Sequence, residues 1–123
     1  MKHDRLKIYI KPTCTTCRRA LSILNEEGIE HDTINYYKTP FTKRELTELI
    51  KRMKITPVEL LRKNESIYTE LGLSKKVLSD TEIIDTMIKY PDLIQRPIVD
   101  REGRVILARP AEEINKLLTK KEK

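Results

Sequence analysis

The sequence predicts an α/β fold in which a mixed four-stranded sheet is built from a β-α-β unit and a β-β-α unit with a run of helices between them. Three patterns carry this expectation. Apolar residues alternate with period two near the N-terminus (Leu6, Ile8, Ile10) and return to a strand period after Pro97. Between the first strand and a second one lies a helical stripe that ends at a glycine, all within about 30 residues. From 42 to 90 the apolar spacing is helical throughout.

Taken in order, Leu6, Ile8 and Ile10 alternate with Lys7 and Tyr9 as strand one, which breaks at Lys11-Pro12-Thr13. A helix follows from about Thr15, with Ala20, Leu21, Ile23 and Leu24 on one face and Gly28 as its stop. His31 to Tyr36 reads as strand two, which puts Cys14 in the first strand-to-helix turn. Thr42 and Glu45 form a capping box, with Phe41 and Leu46 at hydrophobic-staple positions, and Leu46, Leu49, Ile50 and Met53 mark the helix they start. Thr56-Pro57 opens a short helix over Val58 to Lys63, and Ser66 to Leu71 is a further turn closed by Gly72. Ser79 with Glu82 repeats the capping box ahead of Ile83, Ile84, Met87 and Ile88. Pro97 to Asp100, a turn at Arg101-Glu102-Gly103, and Arg104 to Leu107 make a β-hairpin. Arg109-Pro110 leads into a last helix with Ile114, Leu117 and Leu118, and the charged tail Lys120 to Lys123 is expected to fray. This order is a thioredoxin-like layout with extra helices in its middle.

The chain has 123 residues, the size of one domain, so 1–123 is read as a single unit with an insert at about 42–90. Apolar residues (38%) and charged residues (36%) are balanced as in a globular rather than a disordered chain. The longest apolar run is four residues, Val105 to Ala108, too short to span a bilayer. Met1 to Lys11 carries charges throughout and lacks the apolar core of a signal peptide, so a cytoplasmic protein is expected, with a monomer as the default. Twenty-five Lys and Arg against 19 Asp and Glu give a net charge of +6. The basic residues are scattered among acids and few aromatics are available to stack on bases, which argues against direct nucleic-acid binding. The charge is better suited to drawing small anions toward the turn at Cys14.

The only cysteines, Cys14 and Cys17, form one C-x-x-C. So short a loop barely restricts the unfolded chain, and His3 and His31 lack the spacing that would complete a zinc site. Two buried thiols acting as small hydrophobes, a redox pair, or a nucleophile with a neighbouring thiol remain as readings. The position just before a helix favours chemistry. The helix N-terminus, together with Lys11, Arg18 and Arg19, should lower the pKa of Cys14, and Cys17 lies one turn on, where it can attack an adduct on Cys14. Arg62, Arg96 and Arg109 sit at element boundaries; a guanidinium fork matches a tetrahedral oxyanion, although spacing alone reads them as surface charge.

Several segments, in order, resemble the glutaredoxin-coupled arsenate reductase (ArsC) and Spx family: Cys14-Thr15-Thr16-Cys17-Arg18, Leu60-Leu61-Arg62-Lys63-Asn64-Glu65, Leu71-Gly72-Leu73, Arg96-Pro97-Ile98-Val99 and Arg109-Pro110. The likeness runs from about Lys7 to Leu118 and implies a thioredoxin-like fold with a helical insert. It implies that Cys14 attacks an arsenate-type oxyanion, that Arg62, Arg96 and Arg109 hold it, and that Arg18 is the basic residue after the cysteine motif. It also implies that Pro97 is the cis proline before the third strand. No cofactor would be bound; glutathione with glutaredoxin, or thioredoxin, would supply electrons. Members of the reductase branch often read His-Asn-Pro before the cysteine and serine three residues after it, where this chain has Ile10-Lys11-Pro12 and Cys17. Lys11 then stands in electrostatically. Cys17 is similar to the Spx branch, redox-sensing regulators that bind the RNA polymerase α subunit, which makes a regulator with a Cys14–Cys17 disulfide switch the alternative reading. Lys54 stands where many members carry a glycine.

Overall fold

The computed structural model describes residues 5–118. They form two compact units, one from the described parts of 1–39 and 96–123, the other from Pro40–Gln95. In the first unit, β1 (Leu6–Ile10), β2 (His31–Asn35), β3 (Ile98–Arg101) and β4 (Arg104–Leu107) make one sheet in the order β2-β1-β3-β4. β1 and β2 are parallel because α1 (Thr15–Glu26) connects them; β3 runs antiparallel to β1 and pairs with β4 as a hairpin. This is the mixed, thioredoxin-like sheet expected from the sequence.

The pleat sends Leu6, Ile8 and Ile10 to one face, where Ala20, Ile23 and Leu24 of α1 and Ile114 and Leu117 near the C-terminus complete a core with Val99. Leu24 is fully buried there. Truncating it to alanine is expected to destabilise the protein by about 2–5 kcal/mol, read as a lower urea midpoint with an unchanged slope. Helix α1 stops where the glycine predicted. Gly28 takes φ 67°, its N–H donates to the Asn25 carbonyl, and the Ile29 N–H reaches back to Leu24, the paired bonds of a Schellman cap. The hairpin turn is tighter than expected. Arg101 still pairs with Arg104, and both turn residues have positive φ, Glu102 at 54° and Gly103 at 86°, as a two-residue type I′ turn requires.

In the second unit both predicted capping boxes form. Thr42 Oγ1 accepts from the Glu45 N–H at 3.0 Å while Glu45 Oε1 accepts from the Thr42 N–H at 2.9 Å, opening α2 (Lys43–Met53). Ser79 and Glu82 do the same for α5 (Asp80–Lys89). Between them lie α3 (Pro57–Leu60), α4 (Ser66–Glu70) and a 3₁₀ turn at Leu73–Lys75, and α2 and α3 pack on α5.

Several boundaries differ from expectation. The insert is not helical throughout: α3 ends at Leu60, because Leu61 pairs with Ile94 in an antiparallel bridge. Around that bridge the Arg62 N–H donates to Leu93 O and the Gln95 N–H to Leu60 O, so backbone groups a helix would have used are satisfied by a distant segment. Strand β2 ends at Asn35, leaving Tyr36 beyond it. The last helix begins as a 3₁₀ turn at Ala111–Ile114 before α6 (Asn115–Leu118), and the tail Lys120 to Lys123 lies outside the described residues.

Lys54, at the glycine position of the family resemblance, closes α2 in the left-handed region at φ 61°, ψ 40° and is exposed. A Cβ there costs about 1–2 kcal/mol, partly offset by the extra freedom a glycine has when unfolded. Lys54→Gly is therefore expected to raise stability by about 0.5–1 kcal/mol, seen as a higher melting temperature.

Candidate active site

Strand register delivers the site to one end of the sheet. In the parallel β1–β2 pair Ile10 lies opposite Asn35, so the residues that follow, Lys11 and Tyr36, leave the sheet side by side. Tyr9 pairs with Ile98 and Ile98 with Leu107, which brings Arg96-Pro97 and Arg109 to that same end. The Ala108 N–H donates to Pro97 O at 3.0 Å. The Arg96–Pro97 peptide is cis, as the resemblance implies, and so is Arg109–Pro110.

After β1 the chain turns sharply: the Cys14 N–H donates to Lys11 O at 3.0 Å, around Pro12 and Thr13. Cys14 is then the N-cap of α1, and its Sγ accepts from the Cys17 N–H at 3.3 Å, the role a serine or aspartate oxygen usually plays. The first turn of α1 carries no acidic residue to neutralise the positive helix end. Cys14 is half-buried; Cys17 is fully buried.

The two thiols are pushed apart in acidity. Burial is the strongest single influence on Cys14 and acts to raise its pKa, but hydrogen bonds from the Cys17 backbone and thiol and from Arg96, with the Arg96 charge, outweigh it, so the group lies below the usual thiol range. Burial pushes the Cys17 thiol up to about 12, against a hydrogen bond from the Lys11 backbone and reinforced by hydrogen bonding to and charge on Cys14. Of the two, Cys14 is the thiol that ionises first, while Cys17 keeps its proton and donates toward it.

Arg96 is 4% exposed, the one buried charged side chain among the described residues. Its burial disfavours the charge, and Tyr36, Tyr37 and Cys14 together more than compensate, so the guanidinium is held firmly protonated. Arg109 Nη1 donates to the Arg96 carbonyl at 2.8 Å, tying the two arginine segments together. The local basic residues act differently from expectation. Arg18 Nε donates to Pro12 O at 3.1 Å and braces the turn, Arg19 pairs with Glu112 at 3.0 Å, and the Lys11 ammonium lies 5.3 Å from the centre of the Tyr37 ring. The charge that lowers Cys14 comes from Arg96, distant in sequence and desolvated with it. Arg62 belongs to the second unit, where its Nε meets Glu65 at 2.7 Å. Among the described residues no cluster of three or more His, Cys, Asp and Glu side chains is arranged to hold a metal ion. A low-pKa thiolate bonded to a buried guanidinium is equipped to attack an electron-poor centre carried by an anion.

A sequence model of the ArsC family matches residues 9–117. The chain belongs to the ArsC family. Arsenate reductase of Escherichia coli K12 is 40% identical over 115 residues, 94% of this chain and 82% of that protein. Arsenate reductase of Yersinia enterocolitica is 42% identical over the same shares. The solved structure of arsenate reductase from Vibrio cholerae superposes with a TM-score of 0.86 at 32% identity, covering 92% of this chain and 97% of that one.

Two residues of this ArsC site escaped the sequence reading, Tyr36 and Tyr37. Tyr36 is 1% exposed beside Arg96, and its ring lies 5.1 Å from that of Tyr37. The signal was available: in a β-α-β unit, the residues after the second strand emerge beside the turn that follows the first.

Proposed function

We propose that this ArsC-family chain is an arsenate reductase that works through thiol chemistry, with Cys14 as nucleophile. The observation that carries the reading is the half-buried Cys14 sulfur at a helix N-cap, bonded by the Cys17 N–H and by Arg96. In the first step the Cys14 thiolate attacks arsenic(V) of arsenate and a protonated oxygen leaves as water, forming a thiol–arsenate adduct. In the second step another thiolate attacks the Cys14 sulfur; the S–As electron pair passes to arsenic, which leaves as arsenite, and a disulfide forms. Two electrons move, from two thiols to one arsenic. Arg96 and Arg109 offset the charge of the oxyanion as it binds and as the S–As bond breaks. The resemblance also gives Arg62 a share in holding the oxyanion, and Lys11, Arg18 and Pro97 a share in forming its cradle.

The second thiol is Cys17 or glutathione. Cys17 lies one helical turn from Cys14; its pKa is raised first by burial and then by the charge on Cys14, so its attack on the adduct requires a base or an opening of the site that lets its proton leave. On this reading the protein binds no cofactor, is reduced by thioredoxin or by glutathione with glutaredoxin, and works as a cytoplasmic monomer. Arsenate-dependent NADPH oxidation, run in parallel with the two coupling systems, tests it. Cys17→Ser is expected to lose at least about 10-fold of its rate with thioredoxin and to retain most of it with glutathione and glutaredoxin. Equal losses in both would remove Cys17 from the resolving step.

One observation favours a second reading: the Cys14 and Cys17 thiols are in hydrogen-bonding contact, the proximity a disulfide switch requires. In that reading the same pair gates binding to the RNA polymerase α subunit. Absence of turnover from protein whose Cys14–Cys17 disulfide still cycles, with redox-dependent capture of that subunit, would replace the first reading by this one.

A further inference from the structure

We propose that Tyr36 is a positioning residue for Arg96: its buried hydroxyl accepts from the guanidinium and fixes which way the fork presents to Cys14. The inference rests on the reading of Cys14 as the nucleophile.

The geometry builds outward from the sheet. Tyr36 is the first residue past β2, and the register of the parallel pair sets it beside the turn that carries Cys14. It is 1% exposed and Arg96 is 4% exposed, so both side chains are largely withdrawn from water. A buried tyrosine hydroxyl needs a hydrogen-bond partner, and a buried guanidinium needs acceptors for its donors. Each supplies the other: Arg96 donates to the Tyr36 oxygen and also reaches the Cys14 sulfur. Burial holds the phenol protonated, well above its usual value, so the pairing is a neutral acceptor with a cation and leaves the full guanidinium charge directed at sulfur. From outside, the Tyr37 ring lies 5.1 Å from the Tyr36 ring, and the Lys11 ammonium lies against Tyr37. The backbone end of Arg96 is fixed separately, through its carbonyl, by Arg109. A long, flexible side chain is thus pinned at both ends, and Tyr36 supplies the pin nearest the reacting atom.

The test needs no arsenate. Alkylation of Cys14 by iodoacetamide across pH reads the thiolate directly, on wild type, Tyr36→Phe, Arg96→Ala and the double variant, each checked for an intact thermal transition. Tyr36→Phe keeps the ring and its packing. It is expected to slow alkylation roughly 5- to 10-fold below the wild-type midpoint, to move that midpoint upward, and to converge with wild type at high pH. In the Arg96→Ala background the same change should do nothing more, since its effect runs through that guanidinium. An unchanged midpoint in Tyr36→Phe, or effects of the two substitutions that simply add, would overturn the proposal. Where the alkylation pattern holds but arsenate turnover is absent, the reductase reading fails and the positioning role stands.

Discussion

Cys14→Ser is expected to abolish arsenate-dependent NADPH oxidation, with a loss of roughly a thousandfold or more, the scale seen when a covalent nucleophile is removed. The substitution separates chemistry from folding unusually well. Cys14 caps α1 by accepting the Cys17 N–H at 3.3 Å, a length suited to sulfur. A serine hydroxyl is a preferred N-cap and can accept the same bond, so the variant should fold with equal stability or gain up to about 1 kcal/mol. Its chemistry is lost for a different reason. A hydroxyl ionises far above neutral pH, and neither the helix end nor Arg96 lowers it enough to supply an anionic nucleophile. An unchanged melting temperature with no turnover is the expected pair of results. Turnover above about a hundredth of wild type would show that Cys14 does not form the bond to arsenic.

The features legible in the sequence are those whose physics is local. β1 follows from three alternating apolar residues, α1 from a stripe and a glycine, and the two capping boxes from residues three apart whose side chains and backbone groups satisfy one another. The hairpin follows from Glu102-Gly103, where the turn can adopt positive φ. The features that escaped depend on pairings between distant segments. Helix α3 stops at Leu60 because Leu61 meets Ile94, 33 positions away, and no pattern within the insert announces that bridge. Charge shows the same division. Lys11, Arg18 and Arg19 are close to Cys14 in sequence, yet they pair with a tyrosine ring, a carbonyl and a carboxylate, while Arg96, 82 positions from Cys14, reaches the sulfur. The family resemblance singled out Arg96 where spacing alone did not. It did not bring out Tyr36, whose place depends on how β2 is aligned with β1.

Arg96 carries the second large effect. Arg96→Ala removes both the hydrogen bond and the charge that help to hold the Cys14 thiolate, leaving the Cys17 backbone and thiol as its remaining support. The sign follows from the form each state favours. A guanidinium stabilises the thiolate over the thiol, so Cys14 alkylation in wild type reaches half its maximum at a lower pH than for an ordinary thiol, and in the variant that midpoint moves up. Below both midpoints the variant reacts more slowly; above both, where each protein is fully ionised, the two rates meet. In the mechanism proposed above the same guanidinium also faces the charge on the oxyanion as the S–As bond breaks, so arsenate turnover is expected to fall further than alkylation does, by roughly 100-fold in kcat/KM. Arg96→Lys restores charge but not the planar fork that bonds the Tyr36 oxygen and the Cys14 sulfur together, so it should recover the midpoint more fully than the turnover. Equal rescue of both would mean that Arg96 acts through charge alone. A midpoint unmoved in Arg96→Ala would mean that the helix terminus and Cys17 suffice to hold the thiolate.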